Sequence, residues 1–541
     1  MRLASFLATA LAALVLPLAA VAQTGPVVKA AAGAVEGQAQ GAVAVFKGIP
    51  YAQAPVGPLR WAPPKPAQPW TGVRKATEFS AACWQPLSPP GSIYADDPPR
   101  MSEDCLSLNI WAPKGASKAP VLVWIHGGAL TTGFSSEPTY DGTAMAKRGV
   151  IVVSINYRLG VLGWLATPEL SAEQGGTSGN YGLQDQIAAL RWVKANIAAF
   201  GGDPANVTIA GESAGGLSVM YLLAAPPARG LFAKAIAESA YMVSTPDLKA
   251  ARFGAPSAEA AGAGFAAKLG AKGLADLRAM DAKTLANTPG FAHFGAVDGK
   301  LFPKQLVEVF DRGEQAPVPL LAGFNAGEIR SLRGLAPRPP ASAAVYEATI
   351  RANYADLADP FLKLYPPANL EEAILATTRD ALYAWTAERL AIKQTAAGQK
   401  AYLYEFDHGY PAADDKGLHA FHASELPFVF GSIERLPPAW PKPPATPGEA
   451  ALANAMVDYW TSFARSGVPT AAGQPAWPAY SSTRAFMAFR AAPQPAVHVL
   501  PGMYELNEAV VCRRRAAGTQ AWNWNVGLWS PALPPKAPGC G

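Results

Sequence analysis

Val207-Thr208-Ile209-Ala210-Gly211-Glu212-Ser213-Ala214-Gly215-Gly216 is the stretch around which the rest of the chain can be read. A short β-branched and apolar run ends in G-x-S-x-G, and an apolar, helix-forming run at 217–225 follows it. Strand, sharp turn and helix in that order make a nucleophile elbow. Gly211 and Gly215 remove the Cβ atoms that would clash in so tight a turn. The turn lifts Ser213 clear of the strand. The new helix points free N–H groups and its positive dipole end at the place where an oxyanion would form. Alone, the five-residue motif is weak evidence: Gly is about 7% of average sequence, so chance matches are common in chains of this length.

Composition bounds the reading. Of the 541 residues, 50% are hydrophobic and 16% charged, which excludes global disorder and allows a large core. Length alone points to about three or four domains. A net charge of +5 is small for this length and gives no nucleic-acid stripe; the one basic run, 513–515, reads as a surface patch. The N-terminus is more telling. Arg2, an apolar run over 3–22 and a closing Ala20-Val21-Ala22 form a signal-peptide pattern, with cleavage expected after Ala22. No later run is long and apolar enough for a membrane span, so the mature chain is expected to be exported, periplasmic or extracellular. Four cysteines, Cys83, Cys105, Cys512 and Cys540, are an even count in an exported chain and imply two disulfides. Sequence proximity favours Cys83–Cys105 and Cys512–Cys540 among three pairings. No C-x-x-C occurs, and no metal or other cofactor is expected.

Along the chain, 27–54 reads as a hairpin or two short strands, followed by Pro-rich loop at 54–70. Residues 106–111 read as a strand. Two continuous apolar runs, 121–125 and 150–155, have the character of strands covered on both faces. A short helix fits 143–148, and 180–200 has helical spacing through Leu183, Ile187, Leu190, Val193 and Ile197. The elbow strand comes next. Residues 246–311 and 346–399 are helical in character; 317–322 and 402–406 read as strands and 450–465 as an amphipathic helix. Strands alternating with helices give an α/β fold with a large, mostly parallel sheet. The last segment carries Trp522, Trp524 and Trp529 and reads as a tail packed on the body.

A nucleophilic serine needs a base, an acid to orient the base, and N–H donors for the oxyanion. The donors are expected from His126-Gly127-Gly128-Ala129, directly after the strand at 121–125: Gly128 and Ala129, with Ala214 after the nucleophile. His126 precedes the serine and belongs to that loop. The order serine, acid, histidine then calls for an acid in a loop after a strand. Glu328, after Pro319-Leu320-Leu321-Ala322-Gly323, fits; Asp298 is the second choice. His408, His419, His422 and His498 lie downstream, and chemistry alone does not choose between His419 and His422 in their shared loop.

Together these residues resemble the type B carboxylesterase/cholinesterase family of α/β-hydrolases. Ser102-Glu103-Asp104-Cys105-Leu106, continuing through Leu108-Asn109-Ile110-Trp111, is similar to a long family signature, and 211–216 to its serine signature. The loop at 126–129, Asn156-Tyr157-Arg158, 179–186 and 200–204 match as well. The resemblance spans roughly 27–510 and implies one large α/β-hydrolase domain, 23–511, with helical excursions around the active-site gorge; 512–541 would be a disulfide-closed, Trp-rich tail. It implies Ser213, Glu328 and His422 as the triad, since His422 opens a family His-x-x-Glu run and His419 does not. It implies Glu212 and Ser239 as residues that back the triad without reacting, Ser239 by supporting the acid, and Cys83–Cys105 as a family disulfide. The chain departs from the family where Ile329 rather than glycine follows the acid, and where the cation-site tryptophan of cholinesterases is missing from 83–105, Tyr94 being the nearest aromatic.

The expected activity is a secreted serine carboxylesterase acting on small-molecule esters without cofactor, nucleic acid or membrane span; the oligomeric state is left open. The alternatives are an esterase for polycarboxylate (tricarballylate, fumonisin-type) esters, with Arg330 and Arg333 near the acid as carboxylate receptors, a lactonase or carbamate hydrolase, and a catalytically silent binding protein of the same fold.

Overall fold

The computed structural model describes residues 25–540; the expected signal peptide, 1–22, lies outside them. An eleven-stranded sheet organises the chain. Its strands are β1 (Gln38–Gln40), β2 (Val43–Pro50), β3 (Ser107–Pro113), β4 (Ala119–Ile125), β5 (Ile151–Ile155), β6 (Gly202–Glu212), β7 (Lys234–Glu238), β8 (Leu320–Asn325), β9 (Ala401–Phe406), β10 (Ala485–Phe489) and β11 (Pro493–Val497). Their spatial order is β11-β10-β9-β8-β7-β6-β4-β5-β3-β2-β1. The strands from β10 to β5 are mutually parallel, and antiparallel pairs close both edges. This is the α/β-hydrolase architecture.

The continuous apolar runs of β4 and β5 follow from coverage on both faces: every residue of the two strands is buried. Alternate side chains then feed two cores. Val121, Val123 and Ile125 join Val153, Ile209 and the helices α1 (Tyr181–Asn196) and α2 (Ala214–Ala224) on one face. Leu122, Trp124 and Ile236 join Trp460 and Phe463 of α3 (Pro447–Ser466) on the other.

Chain order and spatial order part company at β4. From β4 the chain moves outward to β5, then returns past β4 to lay down β6 on its other side. The carboxyl ends of β4 and β6 therefore meet at a topological switch point, where open α/β sheets leave a crevice for ligands. The loop after β4 starts at His126; the residue after β6 is Ser213.

Within this sheet the strands beyond those expected are β7, β10 and β11, and a further helix, α4 (Met503–Ala517), follows them. Cys512 lies inside α4, so the expected domain boundary at 511/512 falls within a helix; irregular chain starts only at the Gly518 cap. Both disulfides pair as proximity favoured, Cys83–Cys105 and Cys512–Cys540. No helix among the described residues is long and apolar enough to cross a membrane.

Beneath the excursions, Arg158 and Asp185 form a buried pair. Arg158 donates Nε and Nη2 to the two carboxylate oxygens at 2.8 Å each, its backbone N–H adds a third bond at 3.0 Å, and Nη1 reaches the Ala62 carbonyl at 2.9 Å. Removing one partner strands a buried charge, so Asp185→Asn should destabilise the fold by about 3–5 kcal/mol. A denaturant midpoint matching the wild type would contradict this.

Candidate active site

Ser213 caps α2 at φ 57° and ψ −119°, a conformation that non-glycine residues avoid. The elbow is held in it by packing that leaves no room for side chains. A Cβ on Gly215 would sit 2.1 Å from the Ile125 carbonyl oxygen, and one on Gly211 would sit 2.6 Å from the Gly215 carbonyl carbon. The Ser213 N–H is tied to the Glu238 carbonyl at the end of β7 (3.0 Å).

The loop after β4 turns back through Gly128 and Ala129 at φ 95° and 56°. Thr131 and Thr132 both donate to the Gly128 carbonyl. No protein acceptor among the described residues engages the Gly128 and Ala129 amides. Ala214 opens α2, so its N–H is one of the four that a helix start leaves unbonded. Gly128, Ala129 and Ser213 border one cavity. His126 is buried and stacked 4.5 Å from the Tyr157 ring, and its Nδ1 meets the Gly127 carbonyl at 2.9 Å. Burial pushes its pKa down to about 4, so it stays a neutral part of the loop scaffold.

Glu328 is fully buried at the start of a one-turn helix after β8. One carboxylate oxygen accepts from the Asn325 N–H at 2.8 Å, and the other meets His422 Nδ1. His422 faces the cavity that Ser213 borders. Its ring lies 5.2 Å from that of Tyr383, which a π-helical turn (Asp380–Ala384) pushes toward the site. A Glu212 carboxylate oxygen lies 3.1 Å from His422 Nε2. Burial, then the charges of Glu328, Glu238 and Glu137, raises Glu212 well above the usual carboxyl range and favours its protonated form. The remaining expected residues lie elsewhere. His419 is held between Asp407 (2.9 Å) and Asp414 (3.1 Å), which raise its pKa, and it does not border the cavity. Asp298 is occupied by the amides of Lys300 and Phe302.

Ser239 makes no hydrogen bond to Glu328 here. It is fully buried beside the site, and its Oγ has no hydrogen-bond partner among the described residues; Asn325, not Ser239, holds the acid. Asn325 also donates Nδ2 to the Phe421 carbonyl (2.8 Å) and to the Glu425 carboxyl, joining the acid loop to the histidine loop. Tyr94 was legible only as an aromatic in the 83–105 loop. Its hydroxyl donates to the His422 carbonyl at 2.9 Å and lies 2.7 Å from Ser331 Oγ, which accepts the His422 N–H. Neither residue belongs to a catalytic residue pattern, and only the fold brings them to the triad loops.

The cavity holds about 780 Å³. Its walls are largely aromatic and aliphatic, including Phe134, Tyr140, Tyr241, Phe294, Leu382 and Trp440. Asp96, Asp97 and Arg333 bring charge to it, and burial pushes the Glu137 carboxyl up to about 8, favouring its neutral form. Among the described residues no cluster of side chains suited to a metal ion occurs.

Glu238, under the elbow, is fully buried and receives the Trp460 indole N–H at 2.7 Å. Burial raises its pKa to about 8, from 4.5. The folded state keeps a proton that the unfolded chain releases. The stability tied to Glu238 is therefore fully present below 4.5 and lost as pH rises through 8. Between pH 5 and 8, wild type should lose stability relative to Glu238→Gln by an amount on the order of a few kcal/mol. Parallel pH profiles of the two denaturation midpoints would refute the assignment.

Comparison with known proteins places this geometry. The family model described as the carboxylesterase family matches residues 24–500. The chain is 39% identical over 462 residues to the para-nitrobenzyl esterase of Bacillus subtilis, covering 83% of this chain and 91% of that protein. It is 35% identical over 482 residues to the fumonisin B1 esterase of Sphingopyxis macrogoltabida, covering 84% and 85%. A solved PNB esterase structure superimposes with a TM-score of 0.75 at 36% identity, covering 88% of this chain and 97% of that one. The carboxylesterase of Geobacillus stearothermophilus superimposes with a TM-score of 0.72 at 35% identity, covering 91% and 100%.

Proposed function

Because the chain belongs to the carboxylesterase family and is a carboxylic ester hydrolase, we propose that it works as an exported serine esterase with Ser213, His422 and Glu328 as its triad. The observation that carries this reading is the contact of the buried Glu328 carboxylate with His422 Nδ1, next to a strained Ser213 on the same cavity. Held from Nδ1, the imidazole keeps Nε2 for the serine proton. Ser213 Oγ attacks the ester carbonyl as His422 takes that proton. The N–H groups of Gly128, Ala129 and Ala214 hold the oxyanion that develops. His422 then protonates the leaving alcohol, and Glu328 stabilises the imidazolium. Water repeats the sequence on the acyl-Ser213 ester and releases the acid. Glu212, favoured in its protonated form, stands near Nε2 without adding a second anion to the charged imidazole. The signal-peptide pattern at 1–22 and the two disulfides support export.

The walls favour uncharged esters with apolar groups. Arg330 and Arg333, the candidate receptors for a polycarboxylate, are already paired. Arg330 meets Glu372 at 2.7 and 2.8 Å, and Arg333 meets Glu371 at 3.0 and 3.2 Å. Arg333 alone of the two reaches the cavity, where Asp96 and Asp97 oppose an anionic substrate. The fumonisin-type reading rests on the likeness to the Sphingopyxis enzyme, and a release assay on tricarballylate esters tests it directly.

Ser213→Ala should keep the fold and lose kcat by several orders of magnitude. Glu328→Gln and His422→Ala should be nearly as damaging, whereas His419→Ala should leave turnover on p-nitrophenyl acetate within about twofold, as a change away from the reacting atoms does. A fluorophosphonate probe should label Ser213 in the wild type. Near wild-type turnover in Ser213→Ala, or a dead His419→Ala beside an active His422→Ala, would end the reading.

A further inference from the structure

The C-terminal tail reaches the active-site cavity. The family match stops at residue 500, but Trp524, inside the segment closed by Cys512–Cys540, borders the cavity that holds Ser213 and His422. The tail is fixed on either side of this residue. Trp522 is fully buried against Trp385, ring centroids 6.4 Å apart. Asn523 donates Nδ2 to the carbonyls of Met242 (2.9 Å) and Ala381 (2.8 Å), whose neighbours Tyr241 and Leu382 both border the cavity. Arg514, fully buried in α4, donates to the carbonyls of Trp524 (2.8 Å) and Asn525 (3.1 Å) and to Ser530 Oγ (2.6 Å). Between these anchors the Trp524 side chain is left free, and the residue remains 37% exposed.

A buried guanidinium that binds the Trp524 and Asn525 carbonyls fixes the backbone from which the indole projects. An indole carried at a cavity wall with part of its surface exposed gains by covering that surface with an apolar group, and the backbone that carries it needs no further ordering on binding. Leu87, 60% exposed on the other disulfide loop, borders the same cavity. Each stapled segment thus offers the cavity one large uncovered apolar side chain.

We infer that the C-terminal tail is a wall of the substrate site, and that Trp524 selects esters carrying a long aliphatic or aromatic group by packing its indole against that group. The inference rests on the Ser213 esterase reading and names a specificity contact for it. The residue takes no part in bond making, so its effect is confined to the portion of substrate beyond the reacting carbonyl and appears in discrimination between substrates.

The test compares wild type, Trp524→Ala and Trp524→Phe on two series: p-nitrophenyl esters from acetate to decanoate, and acetates of alcohols from methyl to naphthyl. In Trp524→Ala, kcat/KM should fall about tenfold for the long or aromatic members of one series, chiefly through KM, and stay within about twofold for the smallest esters. Trp524→Phe should restore most of the loss. The series that responds identifies the half of the ester that meets the tail. Equal change across both series, or none, in a variant whose melting temperature matches the wild type overturns the inference. Ser213→Ala on p-nitrophenyl acetate tests the underlying reading separately, because hydrolysis of that small ester does not draw on Trp524.

Discussion

The half of the site that carries Ser213 depends on how closely two strand ends approach. β4 and β6 finish side by side at the switch point of the sheet, one passing into the 126–129 loop and the other into Ser213. The approach is close enough that a Cβ on Gly215 would lie 2.1 Å from the Ile125 carbonyl oxygen, a separation no side chain can occupy. That contact requires Gly215, and a Cβ on Gly216 would lie 2.7 Å from the Glu238 carbonyl oxygen, so two consecutive glycines stand in the first turn of an apolar helix despite their poor helix propensity. The close approach also sets the 126–129 loop beside the start of α2, with Gly128, Ala129 and Ser213 on one cavity. The strain at Ser213 persists because sheet, helix and neighbouring loop all constrain it. Its own N–H, tied to β7, removes one more way for the elbow to relax.

The other half of the site is built by cross-bracing. Glu328 and His422 sit in loops after β8 and β9, which pair in parallel. Loop ends of this kind would wander without ties. Asn325 supplies them, giving its N–H to Glu328 and its amide to Phe421 and Glu425. Tyr94 reaches in from the Cys83–Cys105 loop to hold the His422 backbone from the opposite direction. The imidazole is therefore held at Nδ1 by Glu328, while the His422 main chain is held at its N–H by Ser331 and at its carbonyl by Tyr94, an arrangement that limits how the ring can turn. The buried glutamates around it, Glu212, Glu238 and Glu425, all have their pKa raised by burial, so the low-dielectric pocket favours their protonated forms.

How much of this could be read from the sequence follows from how local each feature is. The strands 121–125 and 150–155 announced themselves because burial on both faces demands unbroken apolar runs. The elbow was legible because its turn needs glycine at fixed offsets. By contrast, β7 carries Lys234 and Glu238 at its ends and only alanine and isoleucine between, so its sheet character comes from its neighbours rather than its own side chains. β11 contains two prolines, which an edge strand tolerates and a sequence pattern discounts. In α4, Cys512 is followed by Arg513-Arg514-Arg515, which read as a surface patch. Arg513 and Arg514 are in fact buried, the first against Asp356 and the second against tail carbonyls. Ser239 is buried with its hydroxyl unpartnered among the described residues, a contact pattern that depends on tertiary packing and leaves no local mark in sequence.

These differences divide the molecule by function. The floor of the cavity around Ser213 comes from strand ends and is dictated by short-range sterics that leave marks in sequence. The walls come from segments far apart in the chain: the 83–105 loop, the π-turn at 380–384, the excursion carrying Phe294 and the tail carrying Trp524. Two of these walls are closed by disulfides, and the tail is further pinned by hydrogen bonds from buried Asn523 and Arg514. Loops held this way keep a defined shape without contributing to the sheet. The wall residues can therefore set which ester fits while the geometry around Ser213 stays under the separate constraint of the strand ends.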